Sequence, residues 1–562
     1  RKNFIKGVVS MKKKYLLIIC AILFLISITG VCASEDVNQT LNAETPDTLA
    51  IDMNTADEIG LNDNEEVLTA GNTWYVNSSS PGGNGGSADP FNNLQDAIDK
   101  SSDGDTIMIA SGNYAGEKNT GLTIGKNNLN LIKNGDGEAV FDGQLNKRIW
   151  TVTATSITIK GLTFQNGHSY SGGALYFSKG IINSNIEATF INNTANFGGA
   201  NYFAYALTNT TINGNYMGNT AQNGNGGANL FYGELTNVTI TGNYSNNTAE
   251  YGGANYFLKT LTNTNISGNY SNNTASYGGA NDFNELTNTR IIGNYTLNKA
   301  QYGGANLFYG ELTNVTITGN YSNNTAQNDG GANYFLKTLT NTTLNGNYDH
   351  NKAQDHGGAN CFNELIDTRI IGTYMGNTAQ TEGGANCFNG ALTNTNITGD
   401  YSNNKAQDHG GANCFYKSLT NVTINGNYNY NTAKYGGANH FDGALTNANI
   451  TGDYSNNKAQ GHGGANYFKG TLNNTSLNGN YANNTAEQWG GANIFENTLN
   501  SVNIIGNYTL NTAQNGGGGA NYFNQALTNT NMSGNYANNT AKVSGGANYF
   551  QNTLTNVNII GN

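Results

Sequence analysis

The chain has 562 residues, of which 11% are charged, and it contains 74 glycines and 33 tyrosines but only 3 prolines. A typical soluble domain carries about 25% charged residues, so the surface must consist mainly of neutral polar side chains. The net charge of −11 and the lack of a basic run beyond the extreme N-terminus argue against nucleic acid as a partner. Few cysteines follow the N-terminal segment, which excludes a disulfide-stapled scaffold.

Residues 1–33 are interpreted as an incorrectly assigned start of the chain followed by a signal peptide. Lys12-Lys13-Lys14 form a positive segment, residues 16–31 form an apolar run, and Val31-Cys32-Ala33 supplies small residues for cleavage after Ala33. Met11 opens this signal, so residues 1–10 are interpreted as an incorrectly assigned start. The alternative is a retained membrane anchor, but a run of about 16 residues is short for a span of about 20. The sequence therefore predicts a secreted or cell-surface protein with no membrane span in the mature fragment.

Two further segments precede the regular part of the chain. Residues 34–72 contain many acidic side chains, no lysine or arginine and no apolar periodicity, which predicts a disordered acidic linker. Residues 73–171 are interpreted as an N-terminal cap and irregular β-helix coils. A strand is predicted at 74–76, and further strand-like pieces occur at 156–159 and 161–164.

A short amphipathic helix is predicted within this N-terminal cap. Asp89-Pro90 supplies an N-cap residue and a proline for the first helical turn. Phe91, Leu94, Ala97 and Ile98 follow at helical spacing on one face. Such a helix would cover the open end of a solenoid, which otherwise exposes its core and unpaired strand edges.

Residues 172–562 repeat with a period of about 27 residues. The unit reads GGAN-x-F, a short gap, L-T-N-x-x-I-x-G-N-Y-x-x-N-x-A and a short loop. Short strand-like pieces separated by Asn/Gly corners predict an all-β fold, a right-handed parallel β-helix (solenoid) with one coil per repeat. The Gly-Gly-Ala motif recurs at steps of 25 to 28 residues, with its first glycine at 172, 198, 226, 252, 278, 303, 330, 357, 383, 410, 436, 463, 490, 518 and 545.

The repeats also predict which side chains face the interior. The phenylalanine is constant, whereas the residue before it varies from Tyr202 and Leu230 to Asp282, Cys361 and His440. Because side chains alternate along a strand, the phenylalanine is predicted to point inward and its neighbour outward. The recurring Leu, Ile and Tyr complete an apolar interior. Recurring asparagines are predicted to form ladders between coils, and the fixed glycines to supply positive φ or room at tight corners.

Two sequence patterns resemble known families. The stretch F-x-x-N-x-A followed by G-G-A, seen in residues 190–200, resembles the repeat of bacterial polymorphic outer-membrane proteins, although later copies begin with tyrosine. The pattern P-F-x-x-L-Q-x-A-I and then G-D-T-I, in residues 90–107, resembles the opening of pectate-lyase-like β-helix proteins. Together they resemble the adhesin-like surface proteins of methanogenic archaea. The resemblance implies a surface location and suggests cell adhesion.

The loops before each Gly-Gly pair carry the most varied side chains. Placed along one edge of a solenoid, these side chains would form a ligand-contact edge able to stack on sugar rings. The alternative interpretation is ordinary loop variation. The three histidines alternate with coils that lack histidine, so they are not expected to share a metal. The residues of this predicted edge are Tyr251, Tyr277, Tyr302, His356, Glu382, His409, Tyr435, His462 and Trp489.

Three cysteines and one histidine occupy the same repeat position in successive coils: Cys361, Cys387, Cys414 and His440. A straight ladder at about 4.8 Å per coil is too long for these residues to share one zinc ion. Two adjacent cysteines satisfy the Cα spacing of a disulfide, but free thiols are the preferred interpretation. The sequence predicts neither a metal nor a cofactor.

The main alternative class is a polysaccharide-active β-helix enzyme, a lyase or glycosidase. Its site would lie in the irregular coils near Lys147-Arg148, Asp142 and His168. Among the repeats, Asp400 and Asp453 are predicted at equivalent corners two coils apart, about 10 Å, which loosely fits an inverting pair. No further acid or base is expected nearby, so replacement of asparagine by aspartate is the simpler explanation.

Two arginines, Arg290 and Arg369, are predicted to point outward into solvent. The last residues, 555–562, stop in mid-repeat, which predicts a fragment whose anchor lies in a missing C-terminal part. The predicted function is non-enzymatic: an adhesin-like repeat protein that binds glycans or surface proteins of a host or neighbouring microbe. A passive wall component is a third possibility.

Overall fold

A computed structural model describes residues 71–561. The predicted signal peptide and all but the last two residues of the predicted linker lie outside the described residues. Residues 71–561 form a right-handed parallel β-solenoid of about 17 coils, which confirms the predicted fold class. Every pair of neighbouring strands is parallel, and regular coils pair in register, as where Gly319, Gly346 and Gly372 align.

The longest strands form a 19-stranded sheet, which we call the long sheet. From the sixth strand to the eighteenth, each strand is seven residues long and comes from the L-T-N-x-x-I-x-G-N-Y part of the repeat. Its strands are Thr73–Val76, Thr106–Tyr114, Leu129–Asp142, Ile157–Gln165, Asn185–Ile191, Thr211–Met217, Thr239–Ser245, Asn265–Ser271, Arg290–Thr296, Thr316–Ser322, Thr343–Asp349, Arg369–Met375, Asn396–Ser402, Thr423–Asn429, Asn449–Ser455, Ser476–Ala482, Asn503–Thr509, Asn531–Ala537 and Asn558–Gly561.

A second sheet contains 17 three-residue strands, mostly of sequence N-x-F, and we call it the N-x-F sheet. Its strands are Leu122–Ile124, Trp150–Val152, Leu175–Phe177, Asn201–Phe203, Asn229–Phe231, Asn255–Phe257, Asn281–Phe283, Asn306–Phe308, Asn333–Phe335, Asn360–Phe362, Asn386–Phe388, Asn413–Phe415, Asn439–Phe441, Asn466–Phe468, Asn493–Phe495, Asn521–Phe523 and Asn548–Phe550.

Two-residue strands, mostly L-T, form a third sheet of 15 strands, and strands of two to four residues, mostly T-A or K-A, close the coil in three small sheets. The third sheet contains Ile181–Ile182, Leu207–Thr208, Leu235–Thr236, Leu261–Thr262, Leu286–Thr287, Leu312–Thr313, Leu339–Thr340, Leu365–Ile366, Leu392–Thr393, Leu419–Thr420, Leu445–Thr446, Leu472–Asn473, Leu499–Asn500, Leu527–Thr528 and Leu554–Thr555. The small sheets contain His168–Ser171, Thr194–Phe197 and Thr220–Ala221, then Lys299–Ala300, Thr325–Ala326, Lys352–Ala353 and Thr378–Ala379, and then Thr432–Ala433, Lys458–Ala459, Thr485–Ala486, Thr512–Ala513 and Thr540–Ala541.

The interior is filled by columns of identical side chains, as predicted. The rings of Phe335 and Phe362 stack with centroids 5.0 Å apart, and those of Tyr321 and Tyr348 with centroids 4.8 Å apart. The leucine and isoleucine positions are also buried along the solenoid. Each fully buried side chain of this size contributes about 1.5–3 kcal/mol. Stacking the coils therefore builds one continuous apolar core.

An asparagine ladder runs inside one corner of the solenoid, from Asn193 to Asn539, and we call it the inner ladder. Asn351 shows its bonding: the backbone N–H and Nδ2 of Asn351 both donate to Oδ1 of Asn377, at 2.9 and 3.1 Å. Nδ2 of Asn351 also donates to the carbonyl oxygen of Tyr321 at 2.9 Å. In turn, Oδ1 of Asn351 accepts two hydrogen bonds from Asn324, both of 3.0 Å. A fully buried amide is thereby satisfied from both sides, which confirms the predicted ladder.

The two fixed glycines of each repeat serve different purposes. Gly357 has a φ of +65°, which a residue with a side chain rarely adopts. At Gly358 the reason is space, because an added Cβ would lie 2.1 Å from the carbonyl oxygen of Gly384 in the next coil. Both predicted roles of the glycines are confirmed.

Each regular coil also has two turns with positive φ that asparagine usually occupies. One follows the tyrosine of the long strand, where Asn456 and Asn483 have φ values of +58° and +56°. Asparagine tolerates this conformation better than other non-glycine residues. Nδ2 of Asn483 also donates to Oδ1 of Asn456 at 2.8 Å, so these turns carry an outer ladder of their own. Leu510 occupies the same turn in the following coil, with a φ of +58°.

We expect Leu510→Asn to stabilise the fold by about 1 kcal/mol, because it relieves a strained leucine and extends the outer ladder. Leu510 is 53% exposed, so little apolar burial is lost. The mirror variant Asn483→Leu should destabilise by a similar amount. Urea unfolding midpoints of both variants measure the difference. Equal midpoints for the two would show that the turn conformation contributes nothing.

The single helix of the described residues spans Leu94–Lys100 and lies at the N-terminal end of the solenoid, as predicted. Its predicted start was wrong. The N-cap is Asn93, whose side chain accepts a hydrogen bond from the backbone N–H of Asp96. Phe91 precedes the helix because its backbone N–H donates to the carbonyl oxygen of Tyr75 at 2.9 Å, which fixes residue 91 beside the first strand.

Candidate ligand-binding groove

Three positions of each repeat line a groove on the outside of the N-x-F sheet. The residue before Gly-Gly forms its edge, the middle residue of the N-x-F strand its floor, and the residue after the phenylalanine its far wall. Over four coils this groove encloses about 800 Å³, and we call this part the aromatic groove. Its edge, floor and far-wall residues are, respectively, Asn225, Tyr251, Tyr277 and Tyr302; Tyr256, Asp282, Leu307 and Tyr334; and Leu258, Asn284, Tyr309 and Leu336.

The edge of the aromatic groove is a row of stacked tyrosines. The rings of Tyr251 and Tyr277 are 4.7 Å apart and those of Tyr277 and Tyr302 are 5.7 Å apart, both nearly parallel. Each ring is half-buried and keeps part of its surface open to solvent. Tyr309 on the far wall is 59% exposed. Aromatic faces are therefore available on both sides of the groove.

In the next coils the edge changes from aromatic to ionisable. Nδ1 of His356 lies 2.7 Å from Oδ1 of Asp329, and Nδ1 of His409 lies 2.9 Å from Oε1 of Glu382. Nε2 of His356 and Oε2 of Glu382 are 4.0 Å apart, which joins the four side chains into one row. The hydrogen bond to Asp329 raises the pKa of His356 despite partial burial.

The edge becomes aromatic again towards the C-terminal coils. His409, Tyr435, His462 and Trp489 stack in succession, with ring centroids 5.4, 5.6 and 5.1 Å apart. Trp489 is 39% exposed. The structure thus brings all nine residues of the predicted ligand-contact edge into one row, and their contact with a ligand stays a prediction.

The floor residues point outward, as predicted, and the structure adds that several of them are covered. Cys361, Cys387 and Cys414 do point away from the coil interior, but they are fully buried, and His440 is only 4% exposed. The edge covers this floor, as the 4.4 Å distance between the rings of His409 and His440 shows. Alternation along a strand indicates which face a side chain occupies, and it does not reveal that a loop covers that face.

The three cysteine thiols are free. Hydrogen bonding to Cys387, together with burial, raises the pKa of the Cys361 thiol well above its ordinary value, and burial raises that of Cys414. Buried thiols of raised pKa are chemically inert. Among residues 71–561, no group of three or more His, Cys, Asp or Glu side chains is arranged to hold a metal ion.

The paired aspartates of the repeats lie elsewhere than predicted. Asp400 and Asp453 are in the middle of long strands, on the exposed outer face, and not at corners. They replace members of an asparagine ladder, because Nδ2 of Asn427 donates to Oδ1 of Asp400 at 2.7 Å. Arg290 and Arg369 are exposed, as predicted.

Three of the four residues predicted for an enzymatic site in the N-terminal coils have side chains that link neighbouring coils. Arg148 donates hydrogen bonds to the backbone carbonyls of residues 171 and 172 and stacks 4.7 Å over the ring of Tyr176. Lys147 pairs with Glu117 at 3.0 Å. Burial opposes ionisation of Asp142, but hydrogen bonds from residues 144, 165 and 166 lower its pKa overall. His168 is exposed at the start of a short strand.

No protein family model matches the chain, and no curated protein is similar to it in sequence. The described residues include no helix with both the length and the hydropathy to cross a bilayer. The resemblance to adhesin-like and polymorphic outer-membrane repeats therefore stays a prediction. The structure establishes the fold class of the chain, which is a parallel β-solenoid with stacked asparagine ladders.

Proposed function

We propose that the chain is an exported, surface-displayed solenoid that binds glycans along the groove beside the N-x-F sheet. The row of stacked, half-exposed aromatic rings at the groove edge carries this proposal. Aromatic rings bury large areas at low entropic cost, and they dominate recognition surfaces. The repeat places such rings in runs of three and four successive coils, so the surface matches a chain-like ligand that runs parallel to the solenoid axis.

The weakly charged, net acidic surface supports a glycan in preference to a strongly anionic polymer. Only 11% of the residues are charged, and the exposed faces carry mainly amide and hydroxyl groups. These groups form hydrogen bonds with sugar hydroxyls without a large desolvation cost. The signal-peptide-like N-terminus supports export, and the resemblance to adhesin-like proteins supports display at a cell surface.

A binding role is favoured over polysaccharide cleavage by the surroundings of the candidate catalytic groups. Arg148 donates to the backbone and Asp142 accepts from a side chain of the neighbouring coil, so both groups are already hydrogen-bonded within the protein. Asp400 and Asp453 are separated by a whole coil, and their neighbours in the adjacent strands are the neutral side chains of asparagine or threonine. We therefore propose that the protein retains its glycan without cleaving it.

We expect Tyr277→Ala to weaken glycan binding at least fivefold, because Tyr277 is the central ring of the stacked edge. The matched control is Tyr430→Ala, which removes a tyrosine that is 55% exposed and lies outside the groove. Affinity electrophoresis against the glycans that the unaltered protein retains gives the comparison. Equal weakening by both variants, or none by Tyr277→Ala, would show that the edge is not the binding surface.

A further inference from the structure

One carboxyl group lies on the floor of the aromatic groove without a hydrogen-bond partner. Asp282 is 4% exposed, and within residues 71–561 its carboxyl group has no hydrogen-bond or ion-pair partner. Its neighbours at the same position of the adjacent coils are Tyr256 and Leu307. Burial raises the pKa of Asp282 well above its ordinary value. An unpaired, nearly buried carboxyl group destabilises a fold, and its place on the groove floor makes it available to a partner from outside the chain.

The surroundings of Asp282 favour a cation. Tyr251, Tyr256 and Tyr309 line the groove with it, and aromatic rings present electron-rich faces. Organic ammonium groups bind at such faces, most strongly where water is excluded. None of the residues lining the aromatic groove is a lysine, arginine or histidine that could serve as an internal counter-ion.

The same surroundings disfavour a metal ion. A calcium ion takes six to eight oxygen ligands, and a single carboxylate among tyrosine rings and leucines does not supply them. The groove is also open along the coils, so a bound group can be part of a longer chain. A cation that has an apolar body and is part of a polymer matches the negative charge of Asp282 and the elongated shape of the aromatic groove.

We propose that Asp282 forms a subsite for an ammonium group, and that the ligand is an amino-sugar polymer with free amines. This inference rests on the proposed glycan-binding function and names the class of glycan. The ammonium group pairs with the Asp282 carboxylate, and a protonated Asp282 releases its proton to solvent when the pair forms. The sugar rings lie against Tyr251 and Tyr277. The floor residues next to Asp282 are uncharged, so they contact the neighbouring sugar rings without pairing with an ammonium group.

The test compares glucosamine hexamers with N-acetylglucosamine hexamers by isothermal titration calorimetry, at a pH where the free amine is charged and at about 0.15 M salt. We expect the unaltered chain to prefer the glucosamine oligomer at least tenfold. Asp282→Asn should abolish that preference. Asp400→Asn is the matched control, because it removes the same charge from an exposed site on the long sheet, and it should keep the preference.

Asp282→Leu provides a second variant, since leucine stands at the same floor position in other coils, at Leu230 and Leu307. It should fold and also lose the preference. An unaltered chain that binds both oligomers equally, or an Asp282→Asn variant that still discriminates, would overturn the ammonium subsite and leave glycan binding intact. A chain that retains no glycan of any kind would overturn both proposals.

A measurement without ligand gives an independent check. Because the pKa of Asp282 is raised in the folded state, its favourable contribution is complete below the unfolded pKa and is lost as pH rises through the folded value. Burial raises the pKa values of Tyr251 and Tyr256, which face Asp282 in the groove, so these two side chains do not add a charge in this range. Asp282→Asn should therefore raise the unfolding midpoint at neutral pH and leave it unchanged near pH 3. A lower midpoint at neutral pH would contradict an unpaired carboxyl group and overturn the subsite.

Discussion

Replacing Asn351 with alanine should destabilise the solenoid by about 3–5 kcal/mol, one of the largest effects expected of a single side chain. The substitution removes the acceptor of two hydrogen bonds from Asn324 and the donor to the carbonyl oxygen of Tyr321. All of these groups are buried, so no water replaces the lost partner. Each buried polar group left unsatisfied costs about 1–3 kcal/mol.

The control for this prediction lies in the same coil. Asn347 also belongs to an asparagine ladder, donating to Oδ1 of Asn320 at 2.8 Å, but it is exposed. Asn347→Ala should cost less than about 1 kcal/mol, because water replaces the amide. Solenoids open locally, so hydrogen exchange of the amides around each site measures the loss better than a global midpoint. Equal losses at both positions would contradict the role assigned to the inner ladder.

Gly358→Ala should be equally damaging, for a steric reason. The added Cβ would lie 2.1 Å from the carbonyl oxygen of Gly384 and 2.6 Å from the backbone nitrogen of Thr378. Both are backbone atoms that cannot move without separating two coils, and the N–H of Gly358 itself donates to the next coil at 3.0 Å. Overpacking of this kind lowers the free energy of unfolding by about 1–3 kcal/mol. Because the neighbours here are rigid backbone atoms, we expect a loss of about 3 kcal/mol or more.

The chain supplies a matched control at the same repeat position. Around Gly546 the nearest atom to an added Cβ is 3.5 Å away, which is ordinary contact. Gly546→Ala in this chain should therefore change stability by less than about 1 kcal/mol. Thermal unfolding of the two variants followed by circular dichroism separates them. Similar melting temperatures would show that close approach between coils is not what requires this glycine.

Much of the fold could be predicted because the copies of the repeat can be compared with one another. A position that stays constant between copies indicates a side chain that packs inside the solenoid. A phenylalanine that stays constant while its neighbour varies indicates an inward position, and Phe335 and Phe362 stack inside the solenoid accordingly. The inner asparagine ladder followed from the same constancy. The turns occupied by Asn456 and Asn483 were not singled out, although recurrent asparagine is the ordinary signal for positive φ.

The groove could be predicted only in part. Its edge residues were recognised from their chemical variety before each Gly-Gly pair. The floor was missed, because Asp282 and Cys361 vary like exposed residues although loops cover them. The corner position predicted for Asp400 is wrong, because strand length cannot be read from a motif whose polar residues continue through the strand. The register between coils shows which residues of different coils lie side by side, and the linear sequence does not contain this information.

The most direct test of glycan binding without cleavage incubates the purified chain with a panel of plant, mucin and cell-wall glycans. Retention of each glycan and release of reducing or unsaturated ends are recorded together. We expect retention without any released product, and retention at least fivefold weaker in Tyr277→Ala. Product release would contradict the binding role and redirect attention to the N-terminal coils, and failure to retain any glycan would contradict the proposed function itself.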